Sequence, residues 1–351
     1  MQDIIDNTYE IVRRLEHIQQ LSIYLVRNIN NNTLYAAKVR LNNIDINQHE
    51  IQMCTNVSNI NNPYIARLVN HGIGNIIFQG NIQNNQNYLI FDYYPHSLYE
   101  YIEKTGTFTE KHAKLIFDQI LNGVQALHQA GIWHRYLAID NILFDNNYNV
   151  KIIDFHVAAL LQGNNNFNDN VVRESYSPPQ MIRHLPYNGI KADIFSLGII
   201  LFMLVNGWHP FKSASHIDSL YNLIEKQKFD EYFLCVYKNI LINNSDEFKN
   251  LFWKMVDFNE NQRPSIEVIL NDPWFNEIRN LDNQQMGQLN QDLRNELAQR
   301  DIQINNFNNQ INNIINNQNN QVQNNQNNQV QNNQNNQVQN NQNQNNPNGN
   351  N

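Results

Sequence analysis

Apolar positions change their spacing twice along the chain, and each change marks a boundary. Over the first hundred residues they fall in short runs, Tyr9–Leu15, Leu21–Val26 and Thr33–Val39, separated by polar turns such as Asn28–Asn32. That pattern predicts an antiparallel meander of strands. Asp45–Val57 carries Ile46, Ile51, Cys54 and Val57 close to helical spacing and predicts one helix within the meander. Ile65–Val69, with Gly72 after it, and Tyr88–Asp92 predict two further strands. From Ser97 the spacing becomes helical. Phe108–Gln129 places Ala113, Ile116, Phe117, Ile120, Leu121, Val124 and Leu127 on one face, with Thr109 and Glu110 as a start signal. Ile194–Val205 is apolar nearly all round, which predicts a helix buried inside a lobe.

The second change comes at Leu281, where the apolar count collapses and Asn and Gln take over. Met286, Leu293, Phe307 and Ile314 fall on one heptad position, and Leu297, Ile304 and Ile311 on its partner. Residues 281–315 therefore predict a coiled coil through which the chain would self-associate. Asn290 and Arg300 interrupt that seam, and a frayed helix leading into a disordered tail is the alternative. From Val322 the unit Val-Gln-Asn-Asn-Gln-Asn-Asn-Gln recurs, with valines at Val322, Val330 and Val338. So polar a tract cannot bury enough surface to offset ordering entropy, so residues 316–351 are predicted to be disordered.

Composition narrows the function classes. The 351 residues are 41 % hydrophobic but only 16 % charged, and Asn and Gln supply the missing polarity. A net charge of -8 gives no general pull toward nucleic acid or an anionic membrane surface. Two cysteines, Cys54 and Cys235, make no disulfide framework, and a cytoplasmic setting is expected, with the nucleus as the alternative. Met1–Glu10 carries Asp3, Asp6 and Glu10 without an apolar run and does not read as a signal peptide. Leu197–Val205 is about half the length that crosses a bilayer.

Several short segments, in order, carry a resemblance. They are Tyr35-Ala36-Ala37-Lys38, then Tyr88-Leu89-Ile90-Phe91-Asp92-Tyr93, then His134-Arg135-Tyr136-Leu137-Ala138-Ile139-Asp140-Asn141. Asp154-Phe155-His156, Ser177-Pro178-Pro179-Gln180, Asp193-Ile194-Phe195-Ser196-Leu197-Gly198, Arg263-Pro264 and Pro273-Trp274-Phe275 follow. Their order and separations, such as the thirteen residues from Asn141 to Asp154, resemble the eukaryotic protein kinase family. The wording of the helical part is most similar to the calcium/calmodulin-dependent kinase-like group. The resemblance implies an α+β, bilobal kinase-like domain over 9–275: a β-rich N-lobe at about 9–91, a hinge at about 92–96 and a helical C-lobe at about 97–275.

It also implies a set of site residues, and these divide into kept and lost. Lys38 stands at the position that faces ATP phosphates, with Glu50 as its helix partner. Ala36 and Leu143 stand where the family sandwiches adenine, and Ile23 and Asp92 complete the nucleotide-binding candidates. Asn141 and Asp154 keep the oxygen ligands used for Mg2+. The phosphate cradle is lost, because Glu16, Ile18 and Leu21 occupy the positions of its glycines and no glycine lies between Met1 and Val69. The catalytic base is lost as well. Tyr136 replaces the family's aspartate, and a phenol with an ordinary pKa near 10 does not collect a proton at neutral pH. Ala138 replaces the lysine that steadies the transferring phosphate. Asp140 is the nearest carboxylate, four residues on. His156 replaces a glycine whose freedom lets the metal-binding aspartate turn inward. Gln180 replaces the glutamate paired with the position of Arg263.

Phosphoryl transfer needs cradle, lysine, metal and base together. The expected function is therefore a pseudokinase, a scaffold or regulator in signalling whose partners are other proteins, such as an active kinase or its substrates. Two alternatives stay open: an active or weakly active Ser/Thr kinase using ATP and Mg2+, and a nucleotide-sensing switch without turnover. A further alternative puts the function in self-assembly of the Asn/Gln tail. The loop from Phe155 to Pro178 contains no threonine, and its hydroxyls are Ser175, Tyr176 and Ser177.

Overall fold

The computed structural model describes residues 3–18, 21–40, 48–161, 166–169, 171–238 and 244–344. Its first lobe is a closed barrel. Strands β1 (Ile4–Ile5), β2 (Tyr9–Ile18), β3 (Leu21–Asn28) and β4 (Leu34–Arg40) precede helix α1 (Gln48–Ser58), and β5 (Leu68–Phe78) and β6 (Asn81–Asp92) follow it. The barrel order is β1-β2-β3-β4-β6-β5, with every pair antiparallel. Alternation along the strands sends Tyr24, Val26, Ala37, Val39 and Ile90 inward, and these with Tyr9 and Tyr88 form the lobe's core.

Two features of this lobe depart from the expectation. The lobe begins at Ile4 rather than Tyr9, because Ile4–Ile5 pairs with both β2 and β5 and closes the barrel, leaving Ile5 fully buried. The two separate strands expected at Ile65–Val69 and Tyr88–Asp92 are instead one long hairpin. Its turn, Gln79–Gly80, has positive φ at both residues, the geometry that matches strand twist in a two-residue hairpin. Gly72 is required here, since a Cβ would stand 2.6 Å from the Tyr88 hydroxyl across the hairpin.

A short connection leads to the helical lobe at β7 (His96–Ser97), which pairs with β9. Helices α2 (Leu98–Thr105) and α3 (Glu110–Gln129), strand β8 (Ile132–Trp133), and the β9 (Ile142–Phe144) and β10 (Val150–Ile152) hairpin lie before the segment that carries β11 (Ala159–Leu160) and β12 (Asn166–Phe167). Helix α4 (Pro179–Ile182), strand β13 (Tyr187–Asn188) and helices α5 (Gly189–Asn206), α6 (Ser219–Glu225), α7 (Phe229–Tyr237), α8 (Asp246–Met255), α9 (Ile266–Leu270) and α10 (Asn276–Arg279) complete the lobe. Helix α3 starts where its cap was expected: the Thr109 side chain accepts from the His112 N–H, and all seven apolar residues of the expected face are buried. Helix α5 is long and apolar enough to cross a membrane by composition alone, but its residues are buried inside the lobe. It runs from the Asn188 cap to Gly207 in a left-handed conformation.

Helix α11 (Asn283–Gln344) spans two compact units, Met1–Leu297 and Ala298–Asn351. Within the first unit Leu289, Leu293 and Leu297 are buried, and His112 of α3 bonds Glu296. Residues at i, i+4 and i+8 make one face for a globular surface, so part of the expected coiled-coil seam is spent on the chain's own lobe. Ile311 and Ile314, within the second unit, are exposed. The tract expected to be disordered is helical as far as Gln344, and 345–351 lie outside the described residues. No proline or glycine stands between Gln288 and Asn346, and Asn and Gln cost at most about 0.7 kcal/mol per residue in a helix.

The two halves of α11 should respond differently to truncation. Leu293→Ala is expected to cost about 2–5 kcal/mol in chemical denaturation and Ile314→Ala within about 0.5 kcal/mol.

Candidate functional site

The site is assembled where the two lobes meet. Strand register puts Lys38 on β4 between Ile23 and Leu89. Its ammonium reaches Glu50 Oε1 of α1 at 2.5 Å and Asp154 Oδ1 at 3.0 Å. Arg40, two residues along the same strand, takes the other Glu50 oxygen at 3.1 Å. Glu50 is buried, so two cations compensate one desolvated carboxylate. Burial works against the Lys38 charge, but Asp154 and Glu50 outweigh it and raise the lysine above its ordinary value. Burial likewise pushes the Asp154 carboxyl up, and the His156 hydrogen bond with the Lys38 charge overrides it, holding the carboxyl well below the usual range.

Asp154 adopts positive φ, 68°, and turns toward Lys38. The expectation that His156 would obstruct this turn fails, because the left-handed residue is Asp154 itself and His156 has no positive φ. The imidazole folds back instead, with Nδ1 3.0 Å from Asp154 Oδ1. Between them Phe155 packs on His134, ring centroids 5.0 Å apart. Burial lowers the His134 pKa, and its Nε2 lies 2.9 Å from the Ile153 carbonyl.

The catalytic loop holds Tyr136 beside this group. Its ring meets His156 edge-on at 4.9 Å, and the Arg173 guanidinium lies over it at 5.1 Å. Arg173 also covers the Tyr176 ring at 5.0 Å and pairs with Asp140 Oδ2 at 2.5 Å. Asp140 is thus engaged by an arginine from the following segment rather than turned toward Asp154. Ala138 is fully buried. Beyond Arg173 lies a 370 Å3 cavity walled by Tyr99, Asp140, Glu174, Tyr176 and His209. Asp140 Oδ1 and His209 Nδ1 are buried without a hydrogen-bond partner among the described residues.

The remaining candidates are placed as follows. Ile23 and Ala36, on adjacent strands β3 and β4, and Leu143, on β9, are half-buried apolar residues. Asp92 ends β6 and is bound by Arg67 at 3.3 and 3.4 Å. Asn141 donates to the Tyr136 carbonyl at 2.9 Å. Gln180 accepts from Arg263 Nη2 at 2.8 Å, a charge–dipole bond where a carboxylate was expected to be missing. Arg40, Asp169 and His209 are the residues that sequence reasoning did not single out. Only Arg40 carried a signal, its two-residue spacing from Lys38 on one strand face.

The protein kinase domain model matches residues 19–275, nearly three quarters of the chain. The chain belongs to the protein kinase family. It is 28 % identical over 279 residues to CBL-interacting protein kinase 11 of Oryza sativa subsp. japonica, covering 78 % of this chain and 52 % of that one. It is 32 % identical over 215 residues to CBL-interacting serine/threonine-protein kinase 8 of Arabidopsis thaliana, covering 60 % of this chain and 46 % of that one. The chain spans about half the length of these curated relatives. The second of these relatives is named as a serine/threonine-protein kinase, in agreement with the kinase resemblance read from the motifs.

Kinases of this family use ATP and Mg2+, and the residues present fit these in part. Asn141 Oδ1 and Asp154 Oδ2 carry no hydrogen bond among the described residues, and an amide and a carboxylate oxygen suit a hard cation that keeps waters. Lys38 would face a phosphate. The cradle does not fit. β2 and β3 close with Ile18 opposite Leu21, and Glu16 sits opposite Ile23. None of these strand positions is a glycine that would leave backbone N–H groups open to a triphosphate, and Gln19 and Gln20 lie outside the described residues.

The Arg263–Gln180 contact offers a test of how the lobe holds its segment. Burial pushes the Arg263 guanidinium down to about 10. Gln180→Ala is expected to cost about 1.5–3 kcal/mol at neutral pH, the worth of a hydrogen bond to a charged group. The guanidinium keeps its proton at neutral pH, so chemical denaturation of Gln180→Ala against the parent at that pH measures the cost directly.

Proposed function

We propose that this kinase domain is catalytically impaired and acts in signalling as a protein-binding scaffold or regulator, in the cytoplasm. The observation that supports the reading is the filled acceptor side. A phenol stands where a carboxylate must take a proton, and Arg173 is laid across it and tied to the nearest other carboxylate. Loss of general-base help alone is worth about 10²–10⁴ in rate. Ala138 withdraws a further cation from the transferring phosphate. Its partners would be proteins that dock on the helical lobe, an active kinase or a kinase substrate among them. The relatives are named as CBL-interacting kinases, which favours a role in binding a partner.

A second reading is supported by the Lys38–Glu50–Asp154 cluster, in which the kinase family's phosphate-facing lysine and metal-binding carboxylate stand in contact. On that reading the domain binds nucleotide, with slow transfer or none.

Nucleotide titration followed by thermal unfolding separates the two. A ligand at 100 times its Kd adds about 2.7 kcal/mol. The scaffold reading expects no shift with ATP, with or without Mg2+, and no radiolabel transfer to a generic peptide. A shift abolished by Lys38→Met and Asp154→Asn would establish nucleotide sensing. Transfer abolished by Asp154→Asn would establish a kinase and end the scaffold reading.

A further inference from the structure

On the side of the catalytic loop away from Arg173 lies a charged cluster that the proposed function does not use. The Arg135 side chain is 6 % exposed. Its Nε and Nη2 donate to the Val157 carbonyl at 3.0 and 2.6 Å, and its flat face lies over Phe167 at 4.4 Å. Nη1 donates to Asp169 Oδ2 at 2.5 Å and to the Tyr187 hydroxyl at 3.1 Å. The Tyr187 hydroxyl in turn donates to Asp169 Oδ1 at 2.8 Å. Directly beside this triad β12 pairs with β13, Phe167 opposite Tyr187, and α5 begins two residues after Tyr187. One carboxylate therefore joins three elements: the catalytic loop, the segment after Asp154, and the start of the lobe's central helix.

A guanidinium this buried requires an anion, and removing the one carboxylate that pairs with it among the described residues would leave the arginine uncompensated. In kinase folds a phosphate added to this segment meets that need and orders the loop. Here the chain has no hydroxyl between Phe155 and Glu174. Tyr176 and Ser177 are buried, the first with its hydroxyl on the Met203 sulfur and the second accepting from the Arg173 N–H. Ser175 lines the cavity on the Arg173 side. Asp169 already fills the position facing Arg135. Burial works to raise its carboxyl, and the Arg135 and Tyr187 hydrogen bonds override it and hold it below the usual carboxylate value.

We propose that Asp169 is the positioning residue of the activation segment, a built-in carboxylate on Arg135 and Tyr187 that orders residues 166–169 and 171–188 without phosphorylation. The binding face of the helical lobe is then in place as soon as the chain folds. This proposal stands whether the domain proves to be a scaffold or a kinase, because it concerns the order of the segment and not phosphate transfer.

Hydrogen exchange of the full chain, read by mass spectrometry, tests it, with helix α3 as the internal reference. Asp169→Asn, which keeps shape and removes charge, is expected to speed exchange over 166–169 and 171–188 by about tenfold while α3 is unchanged. Asp169→Glu should stay within about threefold of the parent, and Tyr187→Phe should fall between the two. Phosphatase treatment of the parent protein should change nothing. The proposal is overturned by any of three results: Asp169→Asn exchanging like the parent, an equal rise in α3, or a segment that loosens on phosphatase treatment.

Discussion

Two backbone N–H groups and an imidazole converge on one buried carboxylate, and the active centre is built outward from that point. Asp193, the fifth residue of α5, accepts from the His134 N–H at 2.9 Å and the Arg135 N–H at 2.7 Å, with His128 Nε2 at 2.8 Å. Helix α5 is itself held by burial on nearly every side, so the carboxylate is a fixed point. It forces Arg135 into a left-handed backbone conformation that a non-glycine residue adopts only when its surroundings over-determine it. Everything downstream takes its direction from that turn. His134 faces Phe155, Arg135 faces the segment after it, and Tyr136 emerges toward the cleft.

Around this fixed loop stand the family's ion-pair braces, with other residues at several of its reagent positions. The Lys38–Glu50 pair ties α1 to β4, and Asp154 ties the helical lobe to the same lysine. A buried ion pair contributes little net stability, but breaking one is costly, and Arg40 shares the load on Glu50. Such a network holds two lobes together with or without a nucleotide. The acceptor side, by contrast, is occupied by aromatic and guanidinium groups packed on one another. These contacts satisfy the side chains locally and hold a phenol, not a carboxylate, at the loop's base position.

Much of the fold was legible because periodicity and caps are local. The α3 face, the Thr109 cap and the all-round apolar α5 follow from side-chain spacing that any packing partner would have to respect. The 70–87 hairpin was not legible, since its outward Asn and Gln residues break the alternation that marks a strand, and a positive-φ turn at Gln79–Gly80 has no strong dipeptide signal. Strand β1 was too short to register; only closure of the barrel gives Ile4 and Ile5 a reason to pair. The heptad spacing around Leu293 and Leu297 was read correctly as helical, and these two residues pack within the chain's own first unit. Periodicity reveals that a face is apolar and is silent on what covers it.

Residue identity alone determined which groups stand at the family's base, phosphate-steadying and cradle positions, because a phenol, a methyl group and a glycine-free hairpin are there wherever the backbone takes them. Tertiary structure alone decided how the vacancies were filled. That Arg173 lies on Tyr136, that His156 bonds Asp154 and that Asp169 meets Arg135 are contacts between residues up to 37 positions apart, set by the loop that Asp193 holds. No local spacing encodes such meetings, since each depends on the paths of several elements at once.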